Sequence, residues 1–223
     1  MNLPCVYPPF PPPDWKLLFE LGKWTWGRLA KAARLPAVKV GSPPDLRQWD
    51  ESVCLNVSPA TQIDLFSCGV AAGWAVVKLL YPESREQDRR AFYQWCAPCP
   101  DRGTPTERLH AALKKAKVTV RLRHRKLRFE TIKKTLQQGH PLIVCVDCPG
   151  TDEAHWTVVY GCCAIGRGRR REERVLLFNN RRFWQGLDEE LMPYARFREL
   201  QLGETLVCST APEASVPERR RHE

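Results

Sequence analysis

Between residues 62 and 81 a polar turn gives way to a nearly unbroken apolar run, QIDLFSCGVAAGWAVVKLLY, in which Lys78 is the only charge after Asp64. Pro82 closes the run, so positions 69–80 are predicted to form a helix packed on most sides, with Cys68 at its N-terminus. A second helix is expected over 84–95, opened by Ser84 and broken by CAPCPDRG (96–103). Thr104-Pro105-Thr106-Glu107 matches a capping box with proline at the first helical position, which opens TERLHAALKKA. Residues 117–123 alternate as a strand, and 129–138 read as a helix that Gly139 ends. Three β-rich apolar runs follow: PLIVCVD (141–147), AHWTVVYGCCAI (154–165) with a strand beginning at His155, and RVLLFNN (174–180). Helices first and strands later predict an α+β domain.

The two ends differ from this middle. PPFPPP introduces an extended arm, and Asp14 can cap an amphipathic helix over 14–34 that carries Trp15, Leu17, Leu18, Leu21, Trp24 and Leu29 against basic residues. That helix is expected to dock on its own domain, with a membrane surface or a protein partner as the alternative. Residues 36–59 are rich in proline, glycine and aspartate and read as a linker. The predicted organisation is therefore an arm, helix and linker over 1–57, one α+β domain over 58–210, and a disordered basic tail over 211–223. Neither a secretory signal nor an apolar stretch of about 18 residues is present, so the expected location is cytoplasmic, or exported without a cleavable signal peptide.

Composition changes this picture only in charge. The 223 residues are 43% apolar and 27% charged, as in ordinary globular proteins, but 35 Lys and Arg against 25 Asp and Glu leave a net charge of +10. Much of the excess lies in RGRRREER (167–174) and the terminal ERRRHE, both read as solvated loop and tail. No aromatic residue interleaves those arginines as a stacking surface for bases, and nucleic acid is not an expected partner.

Candidate chemistry centres on Cys68. At a helix N-terminus the unpaired backbone N–H groups and the helix dipole favour a thiolate over a thiol. Gln62 can project its amide toward the same point and donate to a developing oxyanion. His155 stands at the mouth of an apolar strand, and Val175, Leu177 and Asn179 share a face of the next strand, where an asparagine can fix the imidazole tautomer. His110, His124, His140 and His222 lie in exposed, basic or terminal contexts instead.

With these motifs together, Q-x5-C-G-x-A (Gln62, Cys68, Gly69, Ala71), G-x-P-L-I-V and H-W-x-V-V-x-G (His155 to Gly161), the chain resembles papain-like cysteine peptidases. It is most similar to the branch of bacteriocin leader peptidases fused to ABC transporters, the double-glycine peptidases. The resemblance spans roughly residues 58–180 and implies a papain-like fold, with a helical half carrying the nucleophile and an antiparallel sheet carrying the base. It implies Cys68 as nucleophile, His155 as general base, Gln62 as oxyanion donor and, by position, Asn179 as third member, with Asn180 next to it where that branch usually has Asp-Pro. The implied reaction is hydrolysis of a peptide or isopeptide bond in a peptide or protein substrate, without a cofactor. The same residues would serve a transamidase or a deamidase, and a noncatalytic interaction protein on this fold is the third reading.

Of the ten cysteines, Cys96-x2-Cys99 and Cys145-x2-Cys148 have the local spacing of a zinc site. Cys145, however, alternates inside an apolar strand pattern, which suits a buried thiol, so a metal is not the favoured reading. Without an export signal, disulfides are not expected either.

Overall fold

The computed structural model describes residues 49–57, 60, 62, 64, 66–147, 154–178 and 191–210, the side chain of Arg169 excepted. The proline-rich arm, the amphipathic segment 14–34, the tail, Cys148, Asn179 and Asn180 lie outside the described residues. The chain runs β1 (Glu51–Cys54), α1 (Cys68–Leu80), α2 (Glu86–Cys96), α3 (Thr106–Lys115), β2 (Val118–His124), α4 (Phe129–Gln137) and β3 (Leu142–Asp147). It continues through β4 (Ala154–Ile165), β5 (Glu172–Phe178), β6 (Leu191–Pro193), α5 (Tyr194–Leu200) and β7 (Gln201–Thr210). Among the described residues no helix is long and apolar enough to cross a membrane.

The described strands form one seven-stranded sheet in the order β2-β7-β3-β4-β5-β6, antiparallel throughout. β4 is its axis. Its first half pairs with β3 and its second half with β1, end to end along one edge, while β5 takes the other edge. The α+β plan with an antiparallel sheet is thus the observed one.

Alternation of side chains splits the core in two. Ile143, Cys145, Trp156, Val158, Leu206 and Cys208 face α1, α2 and α3, whereas Leu142, Val144, Val146, Val159 and Val207 face α4 and α5. Both faces being covered explains why the runs of β3 and β4 are largely apolar on both faces rather than at every second position.

Helix α1 lies deepest. Its residues from Cys68 through Val77 are all buried, and Lys78 in the last turn reaches the carbonyls of Pro82 and Ser84. Small residues make this possible. A methyl group on Gly73 would come within 2.7 Å of the Phe92 ring, and one on Gly69 within 2.6 Å of Thr104 Cβ. Gly69 and Gly73 are four apart, so they lie on one face of α1 and let the chain of α2 and α3 approach closely.

Several local expectations change. The stretch read as a linker contributes β1, whose Ser52 and Cys54 alternate with Glu51 and Val53; its polar half masked the strand pattern. α3 begins at Thr106 with Pro105 as N-cap and no side-chain cap, because Thr104 is packed against Gly69 instead. α2 begins two residues after Ser84, and the Asp88 carboxylate accepts the Arg85 N–H at 2.7 Å in place of a serine cap. β6, α5 and β7 were not anticipated.

β1 is locked to its surroundings by charge. Glu51 bonds Lys133 of α4 and accepts from Arg171 Nη1 at 3.1 Å; Arg171 also holds Glu173 at 2.9 Å and Glu130 at 3.1 Å. The hydrogen bonds from Lys133 and then Arg171 lower the Glu51 carboxyl from its ordinary 4.5 to about 2. A depressed folded-state value means that this contribution to stability is present above the unfolded value and lost as pH falls through the folded one. Acid unfolding of the wild type should therefore steepen between 4.5 and about 2, and Glu51→Gln should flatten that limb and its salt dependence in pH-jump denaturation. Gly69→Ala should lower stability by about 1–2 kcal/mol in urea, since overpacking outweighs the gain in helix propensity, and more than Gly73→Ala, whose neighbours are movable side-chain ends.

Candidate active site

Four segments carry the candidate residues and their neighbours, the first being the N-terminus of α1. Cys68 is its first residue, 4% exposed, and the first turn holds no acidic residue to oppose a thiolate. Ser67 is the N-cap by position, with its carbonyl accepting the Ala71 N–H at 3.0 Å and no side-chain cap bond. The remaining N–H groups of that turn carry the positive end of the helix dipole.

Upstream, Gln62 is half-buried; both polar atoms of its amide are buried and have no hydrogen-bond partner among the described residues. An amide in that state is costly unless something occupies the space before it. Between Gln62 and Cys68, Asp64 accepts the Phe66 N–H at 2.9 Å and the Tyr93 hydroxyl at 2.8 Å.

A third segment is the turn after α2. Cys99 and Gly103 exchange backbone hydrogen bonds at 2.9 and 2.8 Å, and Thr104 follows against Gly69. The Trp156 indole of β4 donates to the Thr104 carbonyl at 2.9 Å, in a buried contact that ties the sheet to the beginning of α1. Gly103, at φ +64, takes a backbone conformation that favours glycine.

The fourth segment is the start of β4. His155 is 1% exposed and pairs with Val146, while Trp156 pairs with Cys145. Trp156 and Cys145 belong to the α1 side of the core, and Val146 to the other. His155 thus stands among the strand's first residues, next to Trp156. β5 ends beside it, with Phe178 opposite Val158 and its carbonyl accepting the Thr157 hydroxyl at 2.7 Å. Asn179 and Asn180, the sequence candidates for the third member, follow directly and lie outside the described residues.

Cys96, Cys145, Cys162, Cys163 and Cys208 are buried thiols, whereas Cys54 is exposed and Cys99 half-buried. Burial, then Glu204 and Cys68, push Cys145 up to about 12, and burial pushes Cys162 up to about 12 and Cys163 to about 11. Cys96, fully buried at the end of α2, is raised further by the same cause. No disulfide joins the described cysteines. Of the four zinc candidates, Cys148 is not described; among the described residues no group of three or more His, Cys, Asp or Glu could hold a metal ion.

No protein-family model matches the sequence, and no curated protein matches it. Solved structures do. The peptidase domain of Streptococcus ComA, a bi-functional ABC transporter involved in quorum sensing, superposes with a TM-score of 0.50 at 18% identity, over 70% of this chain and 100% of that one. A protein described as a C39-like peptidase from Bacillus anthracis gives 0.52 at 12% identity, over 74% and 100%. A double glycine motif protease from an AMS/PCAT transporter, in complex with the leader peptide, gives 0.48 at 14%, over 71% and 95%.

The fold is that of a C39 cysteine peptidase domain.

Within this C39-like fold, sequence reasoning singled out Gln62, Cys68 and His155 but missed the residues that tie their segments together. Asp64, Tyr93, Thr104 and Trp156 act through tertiary contacts with no spacing rule. Only Asp64, two residues before a backbone N–H that it caps, carried a local signal, that of an Asx turn. Since Cys145 faces Cys68 within electrostatic reach but is held protonated by burial, iodoacetamide should leave it unmodified in the folded protein and alkylate it readily in urea, as read by peptide mass spectrometry.

Proposed function

We propose that this chain is a cysteine hydrolase that cleaves a peptide or isopeptide bond, with Cys68 as nucleophile, His155 as general base and Asn179 as the residue that orients it. The observation that carries the reading is the position of Cys68: it opens a buried helix with no acidic residue in its first turn, in a chain with the C39 peptidase fold. The buried Gln62 amide without a partner among the described residues supports an oxyanion site beside it.

In this mechanism His155 takes the Cys68 proton and the sulfur attacks the scissile carbonyl carbon. The oxyanion is received by the Gln62 amide N–H and the Cys68 backbone N–H. His155 then protonates the leaving amine, water attacks the thioester, and the acid is released with the thiol restored. An amine in place of that water gives transamidation by the same residues.

The test is the alkylation rate of Cys68 over a pH series, in wild type and His155→Ala. Cys68 should react with iodoacetamide below about pH 7, ahead of every other cysteine, and lose that lead without His155. A Cys68 that is slow and indifferent to His155 would overturn the proposal. Gln62→Ala should lower the rate of acyl transfer by about 100- to 1000-fold while leaving alkylation, which forms no oxyanion, nearly unchanged.

A further inference from the structure

We propose that Asp64 and Tyr93 are positioning residues for the oxyanion site: together they fix the path of the chain between Gln62 and Cys68, and so set the distance between its two donors. The proposal rests on the cysteine hydrolase reading above and deepens it.

The two donors are six positions apart, and of the described residues between them, Asp64, Phe66 and Ser67, none belongs to a helix or strand. The Cys68 N–H is rigid because it belongs to a buried helix; the Gln62 amide is not bonded to any described residue, so its location depends on the backbone that carries it. Asp64 stands between them. One carboxylate oxygen accepts the Phe66 N–H at 2.9 Å, which closes a local turn toward Cys68, and the other accepts the Tyr93 hydroxyl at 2.8 Å, which ties that turn to α2. The Asp64 N–H also points to Ser67 Oγ, at 3.5 Å.

The anchor is firm. α2 packs on α1 through Phe92, whose ring is 6.0 Å from that of Trp74 and closes over Gly73, and Tyr93 is the next residue. Burial first, and then the Asp64 charge, raise the phenol well above its ordinary value, which favours its protonated, donating form. A carboxylate with a donor on each oxygen holds both segments at once. The loop is thereby referred to the same helix pair that holds the nucleophile.

Two probes of one sulfur separate positioning from general support. Iodoacetamide is attacked at a saturated carbon and forms no oxyanion. p-Nitrophenyl acetate is attacked at a carbonyl: the Cys68 sulfur bonds to the acetyl carbon, the ester C–O bond breaks and p-nitrophenolate departs, by way of an oxyanion. Tyr93→Phe should leave Cys68 alkylation within about twofold of wild type and slow acylation by p-nitrophenyl acetate about tenfold, less than the loss of a whole donor. Asp64→Asn, which keeps an acceptor for the Phe66 N–H, should fall between wild type and Tyr93→Phe. In a Gln62→Ala background, Tyr93→Phe should cost nothing more, since the donor that it positions is gone.

Acylation at the wild-type rate in Tyr93→Phe would overturn the proposal, as would equal losses in both reactions or a full additional loss on top of Gln62→Ala. Failure of the hydrolase reading looks different: wild-type Cys68 would itself be slow toward iodoacetamide and indifferent to His155→Ala, and the positioning role would fall with it. Thermal melting of Tyr93→Phe and Asp64→Asn checks that both remain folded.

Discussion

The structure depends on the close seating of α1 against the sheet. Ten consecutive buried residues leave that helix no solvent face until Lys78, and its glycines admit Thr104, Phe92 and Leu109 to within contact of its backbone. Burying a run of this kind supplies much of the driving force for folding at roughly 25 cal/mol per Å² of apolar surface. It also fixes where the helix begins, and hence where Cys68 stands. A cysteine held by packing needs no flexible loop to position it, but it stands in a place where charge is disfavoured.

That conflict can be weighed. Burial raises Cys145 and Cys162 from an ordinary 9.0 to about 12, three units. A helix N-terminus contributes about 0.3–1 kcal/mol, up to about 2 in partly buried settings, which is at most about one and a half units. The dipole thus offsets only part of what burial costs those thiols. In the proposed mechanism an imidazole that takes the proton and remains beside the sulfur as a cation supplies the rest, which gives His155 as much weight there as the sulfur itself.

β4 connects the two requirements. Its Trp156 reaches across to Thr104 and secures the beginning of α1, and His155 is the residue before it, at the strand's mouth. A one-residue slip in the β3–β4 register would send the indole away from α1 and break that tie. Register is protected by pairing on both edges, with β3 and β1 in line along one and β5 along the other.

Patterning along the chain determined a good deal. The run from Gly69 to Leu80, the strands at 142–147 and 154–165 and the helix ended by Gly139 were legible because their apolar residues are contiguous or periodic and their boundaries carry proline or glycine. Cys68, Gln62 and His155 stood out as candidates in the sequence because each stands at an element's end or in a short motif. β1 and β7 were not, since polar residues interrupt both, and β7 earns its place in the middle of the sheet only by pairing with β2 and β3 far from it in sequence. Tertiary structure alone decided that Thr104 packs on Gly69 rather than capping its own helix, that Asp64 is tied to Tyr93, and that Cys145 is a buried neighbour of Cys68. Local patterns record what each segment does with its own backbone; contacts between segments distant in sequence follow from how their faces pack, and no spacing along the chain encodes that.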